Sequence, residues 1–190
     1  MEDLNKIDGL FEDLNSKDNK IRYNALLTLM KITDKKILWV YDKWYDLESK
    51  LYSDNSYQRS IGLMLLANLC KSDTESRFDK IIARYIELFE DEKFITSRQC
   101  IQNSWKIAAV KKLYCSTITE ALEHTYYENI HLKSHANLIK ADVIFSLCRI
   151  SEHTGDESII RKAGELIENE NDAKLKKDLS KVLATEYLPE

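Results

Sequence analysis

His131 and His135 stand four residues apart, with Glu128 one turn earlier. On a helix that spacing would bring two imidazoles and a carboxylate to one face, the beginning of a divalent-metal site. Where a helix pairs two zinc-binding histidines with a general base, a Glu directly follows the first His; here Leu132 does, and Glu128 falls at a helix start, where it serves the macrodipole. No metal ligand is assigned. His124 and His153 have no local partners. Cys70, Cys100, Cys115 and Cys148 are dispersed, without a Cys-x-x-Cys pair or cluster-ligand spacing, and read as buried, reduced core thiols. Gly9, Gly62, Gly155 and Gly164 are isolated, so no phosphate-cradling loop is formed, and no Ser, Cys or Thr lies in a nucleophile motif. The scattered carboxylates offer no distinct acid–base pair. The sequence assigns no catalytic residue and no cofactor.

Recognition chemistry has better candidates. Arg22, Arg59 and Arg98 recur at nearly equal steps of about 38 residues, within the range of two-helix solenoid repeats. Stacked repeats would align them as a ladder, which has two uses: binding an acidic partner or phosphates, or pairing with turn carboxylates to hold the repeats together. The second use is favoured because Asp18, Asp54 and Asp91 precede the three arginines. The segment 37–45 is unusually aromatic. Drawn as one helix, it places Ile37, Val40, Tyr41, Trp44, Leu47 and Leu51 on one stripe and Trp39 opposite, beside Asp42, Lys43 and Asp46. Trp39 is then either an exposed binding anchor or a residue covered by a neighbouring repeat. Trp44 and Trp105 fall on apolar stripes and read as core.

The elements that position these residues are helical. With 44% apolar and 32% charged residues the chain can build a core and a solvated surface, so disorder is excluded as a class. Four glycines and the single Pro189 leave few turn residues for a sheet protein. Apolar positions recur at helical spacing, as in Phe78, Ile81, Ile82, Tyr85, Ile86 and Phe89. Polar breaks rich in Asp, Asn, Ser and Thr lie at 16–19, 33–34, 53–56, 71–74, 90–92, 128–129, 154–156 and 168–171 and supply helix caps. Between them lie five helix pairs, at about 2–33, 35–71, 74–110, 112–153 and 156–187, in one domain over 1–190. Short connections make neighbouring helices antiparallel. Aligned on Arg22 and Arg59, Ala25 and Gly62 share one offset, where a small residue lets helices approach. The charged stretch 165–178 reads as the polar cap of a terminal repeat. No signal-peptide pattern and no long apolar run occurs, so a soluble, cytoplasmic protein is expected, with no membrane partner.

The turn acid followed by a second-helix Arg (Asp18 with Arg22, Asp54 with Arg59, Asp91 with Arg98) resembles the HEAT-repeat family. The segment from Asp91 to Gln102 resembles small bacterial HEAT-like proteins without a settled activity, with Phe94 where those tend to carry Pro. The resemblance weakens after about residue 112. It implies an all-α, right-handed α-solenoid of about five antiparallel helix pairs. It also implies, by analogy of fold, a protein-binding scaffold or adaptor with no enzymatic activity. Candidate partner-facing residues are Arg22, Tyr23, Trp39, Tyr57, Arg59, Arg98 and Gln102, and the expected partner is a protein or peptide. A second reading resembles the HEAT-like DNA alkylation repair glycosylases and draws on Arg22, Arg59, Arg98, Trp105, Lys106, Lys111 and Lys112. The net charge of −4 argues against nucleic acid. A third is a regulatory or immunity-type inhibitor that presents an acidic face to a basic partner.

Overall fold

The computed structural model describes residues 4–128 and 135–187, and among them there are α-helices and 3-10 turns but no strand. The helices are α1 (Leu4–Asp13), α2 (Asn19–Ile32), α3 (Trp44–Lys50), α4 (Ser56–Leu69), α5 (Ile82–Glu87), α6 (Phe94–Val110), α7 (Cys115–Glu128), α8 (Ala136–Thr154), α9 (Glu157–Glu168) and α10 (Ala173–Tyr187). The polar breaks start them as their chemistry dictates. Asp18 accepts from the Lys20 and Ile21 amides, Asn55 from Tyr57 and Asp156 from Ser158, each satisfying N–H groups that a helix start leaves open. Gly155 ends α8 in the left-handed region at φ 72°, where glycine carries no steric penalty. No helix among the described residues is long and apolar enough to cross a membrane.

The segment 35–52 is not one helix. Its first part is a 3-10 turn, Trp39–Asp42, and Lys43 at φ −113°, ψ 0° separates that turn from α3. The same device recurs where the turn Arg77–Lys80 ends at Ile81 with φ −117°, ψ −5° before α5. Consecutive aromatic and β-branched residues at 39–41 favour a helix weakly, which lets the turn tighten. The break also corrects the placement of Trp39. A 100° wheel continued through a 3-10 turn loses its phase, and Trp39 is only 4% exposed, edge-on to Phe11 at 5.9 Å between centroids.

Contacts divide the chain into two compact units, Met1–Ile81 and Ile82–Glu190. In the first unit α1 packs on α2, α3 on α4, and α2 on α4. Leu14, Leu29, Trp44, Leu47, Leu51, Leu63 and Leu66 are fully buried, with Trp44 edge-on to Phe78. Two polar networks stitch the helices together. The buried Lys50 ammonium donates to Asn15 Oδ1 at 2.8 Å and Gln58 Oε1 at 2.7 Å, while Gln58 Nε2 donates to the Leu14 carbonyl. Burial pushes the Lys50 pKa down, and Asp46 at 4.0 Å opposes that. The Asp73 carboxylate accepts from the Arg77 and Phe78 amides and from the Tyr41 hydroxyl, fixing the second 3-10 turn.

Gly62 sets how closely α3 and α4 approach. A Cβ there would lie 2.9 Å from the Leu47 carbonyl oxygen and 2.9 Å from Lys50 Cβ. In the second unit the Cys100 thiol of α6 donates to the Tyr85 carbonyl of α5 at 3.2 Å. Burial pushes that thiol well above its ordinary pKa and keeps it an inert S–H donor.

In the second unit α8 is central, touching α6, α7, α9 and α10, so that α6, α8 and α10 lie side by side. Ser146 on α8 donates to the Ile101 carbonyl of α6 at 2.7 Å. Glu170, in the α9–α10 connection, closes a second junction. One carboxylate oxygen accepts from the Lys140 ammonium and the Tyr126 hydroxyl, the other from the Asn171 and Asp172 amides. Burial alone would raise the Glu170 pKa; the hydrogen bonds and charge of Lys140, with the amide donors, outweigh it and hold the group below its ordinary 4.5. The Tyr126 hydroxyl is pushed up by burial and by the Glu170 charge.

Gly62→Val is expected to destabilise the protein by about 1–3 kcal/mol, because the clash is with backbone that cannot rotate away; urea unfolding followed by circular dichroism measures it. Glu170 binds fewer protons folded than unfolded, so its contribution is present above the ordinary carboxylate pKa and lost as pH falls through the lower folded value. Unfolding free energies between pH 7 and pH 3 are expected to fall less steeply for Glu170→Gln than for the parent protein.

Candidate functional site

The first two arginines of the ladder end on backbone. Arg22 Nη1 donates to the Ser16 carbonyl at 2.8 Å, and Arg59 Nη1 donates to the Ser53 carbonyl at 2.8 Å and the Asp54 carbonyl at 3.1 Å. Each guanidinium thus reaches back to the turn just past α1 or α3, where helix carbonyls lack partners and the helix dipole is negative. Arg59 is buried. The turn acids do other work: Asp18 caps α2, and Asp91 accepts from the Lys93 amide. Arg22 and Arg59 therefore both contact turn carbonyl oxygens.

Two aromatic candidates lie in the open. Tyr23 on α2 is 60% exposed and Tyr57 on α4 is 62% exposed, with Leu27 exposed one turn beyond Tyr23. The Arg22 guanidinium lies 4.9 Å from the Tyr57 ring centroid, so the two helices share a cation–π contact on this face. The structure thus brings Arg22 and Tyr57 together and leaves Tyr23 available on the same pair of helices. Trp39 and Arg59 are withdrawn into the fold.

The third arginine behaves differently. Ser97 takes over the turn carbonyl, donating to Phe89 O at 2.6 Å. Arg98 is released to Asp142 on α8, with Nε to Oδ2 at 2.5 Å and Nη2 to Oδ1 at 2.9 Å. Gln102 Nε2 adds a bond to Asp142 Oδ1 at 2.6 Å. This is a bidentate, charge-assisted pair whose carboxylate is 7% exposed and whose guanidinium is 28% exposed. The hydrogen bonds that Arg98 donates to Asp142 raise the Arg98 pKa, with burial opposing them. Asp142 escaped the sequence reading, although an acid inside Leu138-Ile139-Lys140-Ala141-Asp142-Val143-Ile144 signals a buried carboxylate that must find a cation.

Beside this pair runs a groove of about 570 Å³, walled by Gln102, Trp105 and Lys106 of α6, Asp142 and Phe145 of α8, and Val182 of α10. A second hollow of about 250 Å³ between α8 and α10 shares Ala141 and Val182 with it and adds Leu138, Leu175 and Leu179. Trp105, read from its stripe as core, is half-buried. Its ring is met by His153 at 4.6 Å, by the Arg149 guanidinium at 4.8 Å and by the Lys106 ammonium at 5.9 Å. Arg149 also holds Glu152 at 2.6 Å. Neither Arg149 nor His153 carries a sequence signal, because only the side-by-side packing of α6 and α8 brings them to Trp105.

Of the metal candidates, His131 lies outside the described residues. His135 stacks on Phe94 at 4.1 Å, and Glu128 is exposed. Among the described residues no group of three or more His, Cys, Asp and Glu side chains is placed to hold a metal ion. Cys70, Cys100 and Cys148 are buried free thiols, and Cys115 is half-buried. No model of a known protein family and no curated protein matches this sequence.

Arg59→Ala is expected to destabilise the protein by about 1–3 kcal/mol, the range for stranding buried hydrogen-bonding groups. Asp142→Leu should cost about 1–3 kcal/mol, less than a fully buried pair would lose, because Arg98 keeps some solvent. The double variant Arg98→Met/Asp142→Leu should regain part of that loss. Thermal and urea unfolding of the three proteins measures both effects.

Proposed function

We propose that the protein is a helical-repeat binding module: a right-handed HEAT-like solenoid of about five antiparallel pairs that holds a protein or peptide on its second helices. A scaffold or adaptor role in the cytoplasm without catalysis is part of this reading. The observation that carries it is the distribution of charge between the two sets of helices. Of the second helices, α2, α4 and α6 contain no carboxylate, their charged residues being Lys20, Arg22, Lys31, Arg59, Arg98 and Lys106, whereas α8 and α10 carry both signs. The first helix α7 contains Glu120, Glu123 and Glu128 and no Lys or Arg, and α1 and α3 each carry more acid than base. A chain of net charge −4 thus sets basic helices apart within an acidic molecule. Such separation steers an acidic partner and rejects wrong ones. Exposed Tyr23 and Tyr57 supply the large, stiff aromatic surface that binding sites favour.

The same separation favours a second reading, nucleic-acid binding in the manner of HEAT-like DNA glycosylases, with Lys106 and Trp105 on the basic side. Phosphate binding would make affinity fall steeply with salt.

Immobilised protein and a Tyr23→Ala/Tyr57→Ala variant, compared for capture from nuclease-treated lysate, separate these readings. The parent is expected to retain a discrete protein and the variant at least fivefold less, with unchanged melting. Equal capture by both would count against the face, and a gel shift with short duplex DNA in place of protein capture would favour the second reading.

A further inference from the structure

We propose that the protein pairs with a second copy of itself through the segment 35–42, Leu38 of each copy entering an apolar hollow on the other. The contact lies within the first unit and uses neither Tyr23 nor Tyr57. Leu38 is 99% exposed, although Ile37, Trp39 and Val40 around it are all buried. Inward groups hold that stretch in place: the Ile37 amide donates to Ser72 Oγ at 3.0 Å, and the Trp39 ring stands edge-on to Phe11. The core makes no use of the Leu38 side chain, which stands in water in the isolated chain. A leucine exposed by itself is ordinary on a protein surface; this one belongs to a contiguous apolar patch.

The patch holds a projection and a hollow side by side. The hollow, of about 480 Å³, takes its apolar walls from Leu4, Ile37 and Trp39 beside Leu38, and its charge from Lys35, Lys36 and Asp42. Leu4 is itself exposed. A twofold contact puts the same surface on both sides, so it needs a patch that complements itself. Here a rotation about such an axis carries Leu38 of each copy to the hollow of the other, and both projections are covered at once.

Charge fits the same symmetry. Of the ionic groups around this segment, Asp34 is engaged by Lys71 at 3.7 Å and Lys43 by Asp8 at 2.5 Å. Lys36 and Asp42 are exposed and form no ion pair among the described residues. The axis that exchanges the two Leu38 side chains sets Lys36 of one copy toward Asp42 of the other, twice over. A partner of a single sign, an anionic lipid surface included, meets one of these two groups as a like charge, whereas a second copy answers both. A patch of this extent lies at the low end of stable interfaces, so the dimer forms only at high protein concentration.

Sedimentation velocity of the full chain, from low micromolar to submillimolar concentration, tests this. The parent is expected to pass from monomer to dimer as concentration rises. Leu38→Ser should weaken dimerisation at least tenfold, with unchanged melting at low micromolar concentration because the side chain is almost fully exposed in the monomer. Lys36→Asp and Asp42→Lys should each weaken it at least tenfold, since each sets like charges face to face. Mixed in equal amounts, these two variants should pair with one another to within threefold of the parent affinity, because both contacts then join opposite charges. A parent that stays monomeric throughout, a dimer unchanged by Leu38→Ser, or a mixture no more dimeric than its separate components would each overturn the proposal. So would a monomeric parent that co-sediments, through Leu38, with vesicles of phosphatidylcholine and phosphatidylserine, a result that assigns the segment to a lipid surface.

Discussion

In the α3–α4 pair the separation of the two helices is set at one position, Gly62, and the packing around it follows. At Gly62 the α4 backbone comes so near the Leu47 carbonyl that a Cβ has no room; in the second unit the buried Cys100 thiol of α6 donates to the Tyr85 carbonyl of α5. Both solutions put a second helix directly against a carbonyl of the first. Once that distance is fixed, Leu47, Leu51 and Leu63 in one unit and Tyr85, Phe89 and Ile101 in the other are sealed from solvent. Close-packed interiors tolerate little change of volume, so the spacing at this point propagates to every helix pair that rests on it.

Charge obeys a parallel constraint. Burying Arg59 and Lys50 requires acceptors, and the fold supplies backbone carbonyls at the end of α3 and the amide oxygens of Asn15 and Gln58. These cations hold turns and helix ends together and are withdrawn from any partner. Where Ser97 relieves the third arginine of its turn, Arg98 becomes free to cross to α8. A serine before an arginine therefore separates the third rung of the ladder from the first two, turning a local clasp into a link between helices. Gln102, oriented by the same carboxylate, extends that link toward the groove.

Exposed and core side chains therefore occupy different positions of the same helices. On α2 and α4 the inward residues Ala25, Leu29, Gly62 and Leu66 build the core while Tyr23 and Tyr57 face outward. On α6 Cys100 and Ile101 are core, and Gln102, Trp105 and Lys106 line the groove.

The sequence by itself located most of the helices and several of their starts, because helix periodicity and the Asp and Asn caps are local signals. It also located Arg22, Tyr23, Tyr57, Arg98 and Gln102 on second helices. It could not place Trp39, since a 3-10 turn and the rotated backbone at Lys43 break the phase on which a helical wheel depends. Nor could it pair Arg98 with Asp142, or gather Arg149 and His153 around Trp105. Those partners lie far away along the chain. What unites them is the lateral packing of α6 on α8, and a contact between helices that are not neighbours in sequence is set by which faces fit together, a property only the tertiary structure holds.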